Sequence, residues 1–430
     1  MIRNATIEIK NSMELKIYFL TGGENLEYNY YDGEIYYNTN KVMDFLFILV
    51  VILSNFSQLP ALVSTSATSI LSTPTWIVFG LVLLIICNFK IMYTKSTKFF
   101  MSVSLFFIIL VMLLSVFTSN ALYSGSSFRA FIISLMVFSV GCVSSEFLNQ
   151  RLIDKMQIAY IVTLIIVGGS IYLQYFVGYD ISSVIYGYSS KNSVSTMFLA
   201  AIVFLMFGLN SFKTTGVSKI IRVCLVFYFT ILMGIMKSRA SLIGLAVIGF
   251  ALFMNRKIKT FEKILIVIAI IVLIWHVLNN EALYQLIVND ILYAGRDASS
   301  ISSLSSGRTD QIKNTLILLS YNPFVGLGPY YIDCFPVSSW ANYGYIIGTV
   351  LIIISLYPFI SSIRKLNLQP YLYDFRFTGV VLAGAYSLNS LFEGLAPFGP
   401  GIKCYILWFF FGVLCNFDES RKAEEFLIKY

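Results

Sequence analysis

The chain carries twelve apolar runs, each long enough to cross a bilayer as a helix. A transmembrane helix needs about 20 mainly apolar residues and satisfies its backbone polar groups internally. The runs lie at 45–63, 75–93, 99–118, 128–147, 157–177, 193–210, 220–236, 240–255, 263–279, 343–363, 375–392 and 402–417. They predict an all-α polytopic integral membrane protein with about twelve transmembrane helices. The composition excludes a soluble enzyme, a disordered protein and a fibre, because 57% of the residues are hydrophobic and only 12% are charged.

The basic residues define an orientation for these helices. If the N-terminus is cytoplasmic, 22 of the 30 Lys and Arg residues fall on cytoplasmic segments. The other eight lie on outward segments and are Arg129, Lys191, Lys237, Arg239, Arg296, Arg308, Lys313 and Lys403. Cytoplasmic loops of membrane proteins are enriched in Lys and Arg, so both termini are predicted to be cytoplasmic. The net charge of +8 is then a topology signal and not a nucleic-acid footprint.

This orientation divides the chain into five segments. They are a polar cytoplasmic tail at 1–44, helices 1–9 at 45–279, a large periplasmic loop at 280–342, helices 10–12 at 343–417 and a cytoplasmic tail at 418–430. In the loop, the apolar spacing predicts amphipathic helices at Glu281–Leu292 and Thr309–Leu319. The sequence Gly-Leu-Gly-Pro at 326–329 predicts a tight turn. The N-terminal tail is expected to form a small strand pair, or to precede a true start at Met43.

Outward-facing cations are few, and they gather near helix starts. Lys237 and Arg239 lie in the short turn between the seventh and eighth helices, and Arg308 opens the second loop helix. A guanidinium pairs bidentately with phosphate oxygens, and a helix N-terminus favours an anion. These residues predict a site for an anionic lipid headgroup, in particular a diphosphate. The alternative is an arginine that reaches to the interface, or an ion pair of Arg308 with Asp310 or Asp297.

Two acids and three aromatic residues complete the candidate site. Asp333 follows the glycine turn, where it could act as general base for a sugar hydroxyl or cap the turn. Glu393 ends the eleventh helix, where it could pair with one of the arginines or contact sugar. The aromatic residues that could stack on sugar rings, or else form an interfacial girdle, are Tyr330, Tyr331 and Trp340.

Several other chemistries lack their residues. His276 is the single histidine, and no Ser/His/Asp set exists, so a hydrolase of that type is excluded. The chain has no Walker A sequence and no glycine-rich dinucleotide fingerprint. It has no Asp-x-Asp motif, so neither a metal ion nor a cofactor is expected, and fixed Arg and Lys charges would stabilise a leaving diphosphate instead.

Three stretches resemble the O-antigen polymerase and ligase superfamily. The first is Ser-Arg at 238–239, which opens an outer helix. The second is Ser-Gly-Arg at 306–308, followed by Asn-Pro-Phe-Val-Gly-Leu-Gly at 322–328. The third is Asn-Tyr-Gly-Tyr-Ile-Ile-Gly at 342–348, and residues 188–192 give a weaker fourth match. The order and spacing of these motifs carry the resemblance.

The resemblance implies an activity, a location and site residues. Such proteins are metal-independent, GT-C-like membrane glycosyltransferases of the bacterial inner membrane, with the active site facing the periplasm. Their two diphosphate-binding arginines correspond to Arg239 and Arg308, with Lys237 assisting, and Asp333 or Glu393 would orient or deprotonate the acceptor hydroxyl. The expected partners are undecaprenyl-diphosphate-linked oligosaccharide repeat units, the lipid bilayer and a chain-length-regulating co-polymerase, with no nucleic acid.

Two alternatives stay open beside an O-antigen (or capsular) polysaccharide polymerase of the Wzy type. The ligase branch of the family has an essential histidine after the Gly-x-Gly turn, and residues 333–340 contain none. A lipid-linked oligosaccharide flippase can also have twelve helices, but it is expected to show two-half symmetry and charges near the bilayer midplane. Neither feature is visible in the sequence, and both absences favour the polymerase of lipopolysaccharide biosynthesis.

Overall fold

The structure is a computed structural model of the 430-residue chain. It describes residues 5–9, 15–21, 24–31, 34–37, 41–63, 65–87, 93–118, 121–148, 150–183, 187–209, 216–255, 260–293, 296, 305, 307–366 and 373–428. Residues 298–307 of the outer loop are rich in serine, a composition that predicts a flexible stretch, and most of them lie outside the described residues.

The N-terminal segment forms a four-stranded antiparallel sheet in the order β1-β2-β3-β4. The strands are β1 (Ala5–Ile9), β2 (Leu15–Thr21), β3 (Glu24–Tyr31) and β4 (Glu34–Tyr37). Residue pairs include Ile7 with Ile17 and Tyr30 with Ile35. The connections after β2 and β3 are Gly-Gly and Asp-Gly, two-residue sequences that favour tight hairpins. The tail therefore contains two more strands than the predicted pair.

After the sheet, the described chain is helical. The α-helices are α1 (Lys41–Phe56), α2 (Pro60–Val63), α3 (Ala67–Leu71), α4 (Thr73–Ile86), α5 (Lys95–Thr118), α6 (Ser126–Ser144), α7 (Gln150–Ile171), α8 (Lys191–Val203), α9 (Gly216–Ile235), α10 (Arg239–Met254), α11 (Thr260–Asn279), α12 (Glu281–Tyr284), α13 (Arg308–Tyr321), α14 (Phe335–Lys365), α15 (Tyr373–Asn389) and α16 (Tyr405–Ile428). Helices α7, α8 and α12 continue into π-helical turns at Tyr172–Phe176, Phe204–Gly208 and Gln285–Leu292. Short 3₁₀ turns lie at Leu122–Ser124, Ser390–Phe392 and Gly401–Cys404.

Seven helical segments are long and apolar enough to cross a membrane. They are Ala67–Ile86, Lys95–Thr118, Ser126–Ser144, Gln150–Phe176, Lys191–Gly208, Ser218–Ile235 and Phe335–Lys365. Two shorter apolar helices, Arg239–Met254 and Gly401–Asn416, accompany them among the described residues. The predicted helical membrane fold is confirmed at this level. Each of the twelve predicted segments coincides with helix, and the count of twelve spans stays a prediction.

Several predicted segments have different bounds in the structure, and two of the differences have a local backbone cause. The first was expected as one helix over 45–63, but α1 ends at Phe56 and a separate short helix begins at Pro60. Proline lacks the N–H that would continue a helical ladder, which explains the break. The tenth was expected to begin at 343, whereas α14 begins at Phe335, inside the predicted loop.

Helix α14 is folded sharply at Gly344, which has φ 75° and ψ 171°. A Cβ built on Gly348 would lie 2.6 Å from the Ser339 carbonyl oxygen. In a straight helix, residues nine apart are separated by about 13 Å along the axis. The first turns of α14 therefore fold back on the second half, and Trp340 Nε1 donates to Thr349 Oγ1 at 3.1 Å across the fold.

The core is built on close contact between α6 and α16. Small residues allow their backbones to meet, since a Cβ on Gly141 would overlap the Phe409 carbonyl oxygen. Trp408, the residue before Phe409, stacks on Phe398 with ring centroids 5.0 Å apart. This stacking fixes the connection from α15 to α16, which carries the candidate residue Glu393.

Candidate functional site

On the predicted outer side, three of the described helices begin with a cation, and the structure brings these helix starts together. Lys191 is the first residue of α8, Arg239 of α10 and Arg308 of α13. The charge of Lys191 interacts with those of both arginines, and also with Lys237 and Arg296. Charge interactions at physiological salt fade over about 8–10 Å, so these side chains lie in one region. We call the five residues the cation cluster.

The cation cluster is electrostatically unfavourable by itself. Two like charges 8 Å apart repel by about 2 kcal/mol at an effective dielectric constant of about 20. The partial positive charge of each helix start adds to this repulsion. Asp180 and Asp290 offset part of it, because both interact with Lys237. A multiply charged anion would relieve more, since the N–H groups of the three helix starts are suited to phosphate oxygens.

Lys237 holds the turn that presents Arg239. Its backbone is in the left-handed region at φ 51°, where a residue with a side chain costs about 1–2 kcal/mol. Its ammonium donates to the Ser183 carbonyl at 2.5 Å, which ties the turn to the segment before α8. Burial lowers the pKa of Lys237, while Asp290 and Asp180 act in the opposite direction. Lys237 thus has a structural role in the turn in addition to its charge.

Arg308 forms an ion pair with Asp333 within the outer loop. Arg308 Nη2 lies 2.9 Å from Asp333 Oδ2, and Arg308 Nε donates to the same oxygen at 3.1 Å. The Tyr331 hydroxyl donates to the other oxygen, Oδ1, at 2.8 Å. Burial and this bond raise the pKa of Tyr331, so its phenol keeps the proton. The sequence offered Asp310 or Asp297 as partners of Arg308, and Asp297 lies outside the described residues.

Glu393 forms an ion pair with Lys403. Among the contacts that the structure describes, the predicted pairing of Glu393 with an arginine is therefore wrong. Lys403 Nζ lies 3.1 Å from Glu393 Oε2, and the lysine side chain is 0% exposed. The neighbouring Gly394 packs so closely on Ile332 that a Cβ would overlap the Ile332 carbonyl oxygen. Glu393 consequently interacts electrostatically with Tyr331 and lies beside the Arg308 ion pair rather than in it.

The motif at 322–328 packs closely against the motif at 342–348. A Cβ on Gly326 (φ 82°) would lie 2.6 Å from Gly344 N, and a Cβ on Gly344 would overlap the Phe324 carbonyl oxygen. The Asn342 side chain binds both backbone groups of Tyr330, accepting from its N–H at 3.0 Å and donating to its carbonyl at 2.9 Å. These contacts fix the segment after the glycine turn against α14.

The three aromatic candidates lie in different environments. Tyr330 is 40% exposed and Tyr331 is 58% exposed, beside the Arg308 ion pair. Trp340 packs within the fold of α14, with its ring edge-on to Tyr345 at 5.6 Å. The two tyrosines are therefore better placed to contact a ligand near Arg308.

Lys191 and Lys403 are the site residues that sequence reasoning left without a role. Both are outward cations that adjoin a predicted apolar run, and Lys191 falls in the weakest of the four motif matches. Their positions are a signal of a functional role, because a charged residue next to a membrane span is rarely incidental. The sequence did not show that Lys191 neighbours cations from distant helices, or that Lys403 pairs with Glu393 ten residues earlier.

The chemistry of the site favours an anion over a cation as ligand. Among the residues that the structure describes, no three His, Cys, Asp or Glu side chains group together to hold a metal ion. The cation cluster and the three helix starts instead present positive charge and N–H donors, which suit a diphosphate.

No protein-family model matches this chain, and no curated protein matches it at a significant level. The assignment of a function therefore depends on the residues of the site and their geometry.

Proposed function

We propose that the protein is a polysaccharide polymerase of the O-antigen or capsular type. It would transfer a growing glycan from undecaprenyl diphosphate to a new lipid-linked repeat unit at the periplasmic face of the inner membrane. The single observation that carries this proposal is the meeting of Lys191, Arg239 and Arg308 at three helix starts. A lipid diphosphate is the anion that a membrane protein would hold there.

The orientation of the protein supports this placement. With the twelve predicted spans and both termini in the cytoplasm, the cation cluster would lie on the outer side, where only eight of the 30 Lys and Arg residues fall. Five of those eight belong to the cation cluster. Cations that are scarce on this side and yet gathered in one region indicate binding of a specific anion rather than general anchoring to lipid.

The transfer requires that charge be stabilised on the leaving group. The acceptor hydroxyl oxygen bonds to C1 of the donor glycan, and the bond from C1 to the phosphate oxygen breaks, leaving its electron pair on the diphosphate. Arg239 and Arg308, with Lys191 and Lys237, stabilise that charge, as fixed cations do in water-excluded sites. The acceptor proton passes to a carboxylate, for which the sequence suggests Asp333 or Glu393. Tyr330 and Tyr331 are placed to stack on sugar.

The test compares arginine variants of the purified protein with its cognate undecaprenyl-diphosphate repeat unit in EDTA. The wild type is expected to give a ladder of polymer on a gel. Arg239→Ala and Arg308→Ala should each lose at least about tenfold in rate, the worth of a charge-assisted hydrogen bond. Lys313→Ala is the matched control, because Lys313 is exposed on the same helix as Arg308.

Two outcomes would reject the proposal. A wild type without a ladder that moves the lipid-linked substrate across liposome bilayers would be a flippase. A ladder that persists in both arginine variants would remove the cation cluster from the reaction.

A further inference from the structure

Asp333 contacts Arg308 through one edge of the guanidinium. The Nε and Nη2 atoms both point to Asp333 Oδ2, at 3.1 and 2.9 Å. Among the described residues, no hydrogen bond or ion pair engages Nη1 of Arg308. A guanidinium offers a second edge, formed by Nη1 and Nη2, with the fork geometry that matches two phosphate oxygens. That second edge is therefore available for a ligand while the first is held.

Asp333 is itself held from two sides. Its Oδ1 accepts the Tyr331 hydroxyl at 2.8 Å, so each oxygen has a donor. The backbone just before this tyrosine is fixed by the two bonds of Asn342 to Tyr330. A chain of contacts thus runs from α14 through the tyrosine and the aspartate to Arg308 at the start of α13.

This geometry suits a positioning group better than a proton acceptor. A general base must direct a lone pair of a carboxylate oxygen to the hydroxyl of the acceptor at about 2.6–3.2 Å. Both oxygens of Asp333 are instead engaged, one by Arg308 and the other by Tyr331. A residue that orients an anion-binding side chain must itself be held in place by its own partners, as Asp333 is.

We propose that Asp333 is a positioning residue that fixes the guanidinium of Arg308 for a diphosphate, and that it does not accept the proton of the acceptor sugar. The nature of the ligand rests on the proposed function, whereas the orienting role rests on the ion pair itself. Tyr331 assists by holding the second oxygen of Asp333.

Asp333→Asn and Asp333→Ala in the full-length protein distinguish the two roles. An asparagine oxygen still accepts from Arg308, and its amide still reaches the Tyr331 oxygen, so Asp333→Asn should bind inorganic diphosphate within about threefold of the wild type. Asp333→Ala should bind it about tenfold more weakly, because the guanidinium loses the acceptor oxygen that orients it. Binding is measured by isothermal titration, and kcat and KM for the lipid-linked donor are measured separately.

The positioning role predicts that Asp333→Ala raises the KM of the donor, and that Asp333→Asn keeps kcat within about tenfold of wild type and leaves the pH profile unchanged. A general base predicts the reverse, since both variants would lower kcat by about 10²–10⁴ with diphosphate binding unchanged. That result would overturn the proposal, as would a wild type that binds no diphosphate.

Two further measurements keep the test decisive. If Asp333→Ala does not fold, Tyr331→Phe replaces it, because Tyr331 is largely exposed and its ring is kept; it should weaken diphosphate binding by about threefold. In another outcome, the wild type makes no polymer and yet binds diphosphate more tightly than Asp333→Ala, with Asp333→Asn close to the wild type. In that case the polymerase assignment fails and the role of Asp333 stands. Equal binding by wild type, Asp333→Ala and Tyr331→Phe would overturn that role.

Discussion

Lys191 is a residue placed where its charge is disfavoured. It is half-buried at the first position of α8, and it faces four other cations. Burial opposes a cation in that position most strongly, and the like charges and the helix dipole oppose it further. Groups held against such a penalty cluster at functional sites. At the scale of single residues, Lys191 therefore joins Arg239 and Arg308 as a candidate ligand of the diphosphate.

Lys191→Met should stabilise the protein and weaken its ligand binding. Removing a half-buried charge that interacts unfavourably with four other cations is expected to raise the unfolding temperature in detergent, and to reduce the further rise produced by inorganic diphosphate. Lys313→Ala, on the exposed face of α13, should change neither quantity. A lower unfolding temperature with an unchanged diphosphate effect would make Lys191 a purely structural cation.

At the scale of elements, the fold of α14 at Gly344 joins the glycine turn to the membrane region. Gly326 and Gly344 are in left-handed backbone conformations and touch each other's segments. The Asn342 amide completes the contact with two bonds to Tyr330. Gly326, Gly344 and Asn342 therefore hold the Asp333 segment in place.

Gly344→Ala should damage this joint more than an ordinary glycine replacement does. The new Cβ would overlap the Phe324 carbonyl oxygen in a backbone region that disfavours alanine, with an expected loss of about 2 kcal/mol or more. Gly249→Ala in α10 is the control, because no atom lies within 4 Å of its Cβ position, and a helical alanine is favoured by about 0.5–1 kcal/mol. Thermal unfolding in detergent measures both variants. Equal effects would show that the joint is dispensable.

At the scale of the whole molecule, the orientation in the membrane is a property of all the loops together. Alkaline phosphatase fused after residue 307 should be active outside the cytoplasm, and green fluorescent protein fused after residue 430 should fluoresce inside it. Exchanging the two reporters should silence both and serves as the control. An active phosphatase at residue 430 would reverse the orientation and place the cation cluster in the cytoplasm.

Much of the fold could be read from the chain, because the bilayer limits what an apolar run can form. Each predicted run overlaps described helix, and the turn before Arg239 and the helix after Gly307 lie where the spacing of apolar residues predicts them. The missed breaks, at Pro60 and in α14, follow from local backbone constraints inside apolar sequence. Hydropathy averages over a window and does not register such single positions.

The amino-acid order by itself determined the class of protein, the helical segments and the candidates Arg239, Arg308 and Asp333. Burial in lipid and the geometry of guanidinium groups depend on residue type and local pattern alone. Only the tertiary structure decided which charges meet. Asp333 is 25 residues from Arg308, and Lys191 reaches the same site from a helix more than a hundred residues away. Such pairings depend on how helices pack, because electrostatic partners are chosen by distance in space and not by separation along the chain.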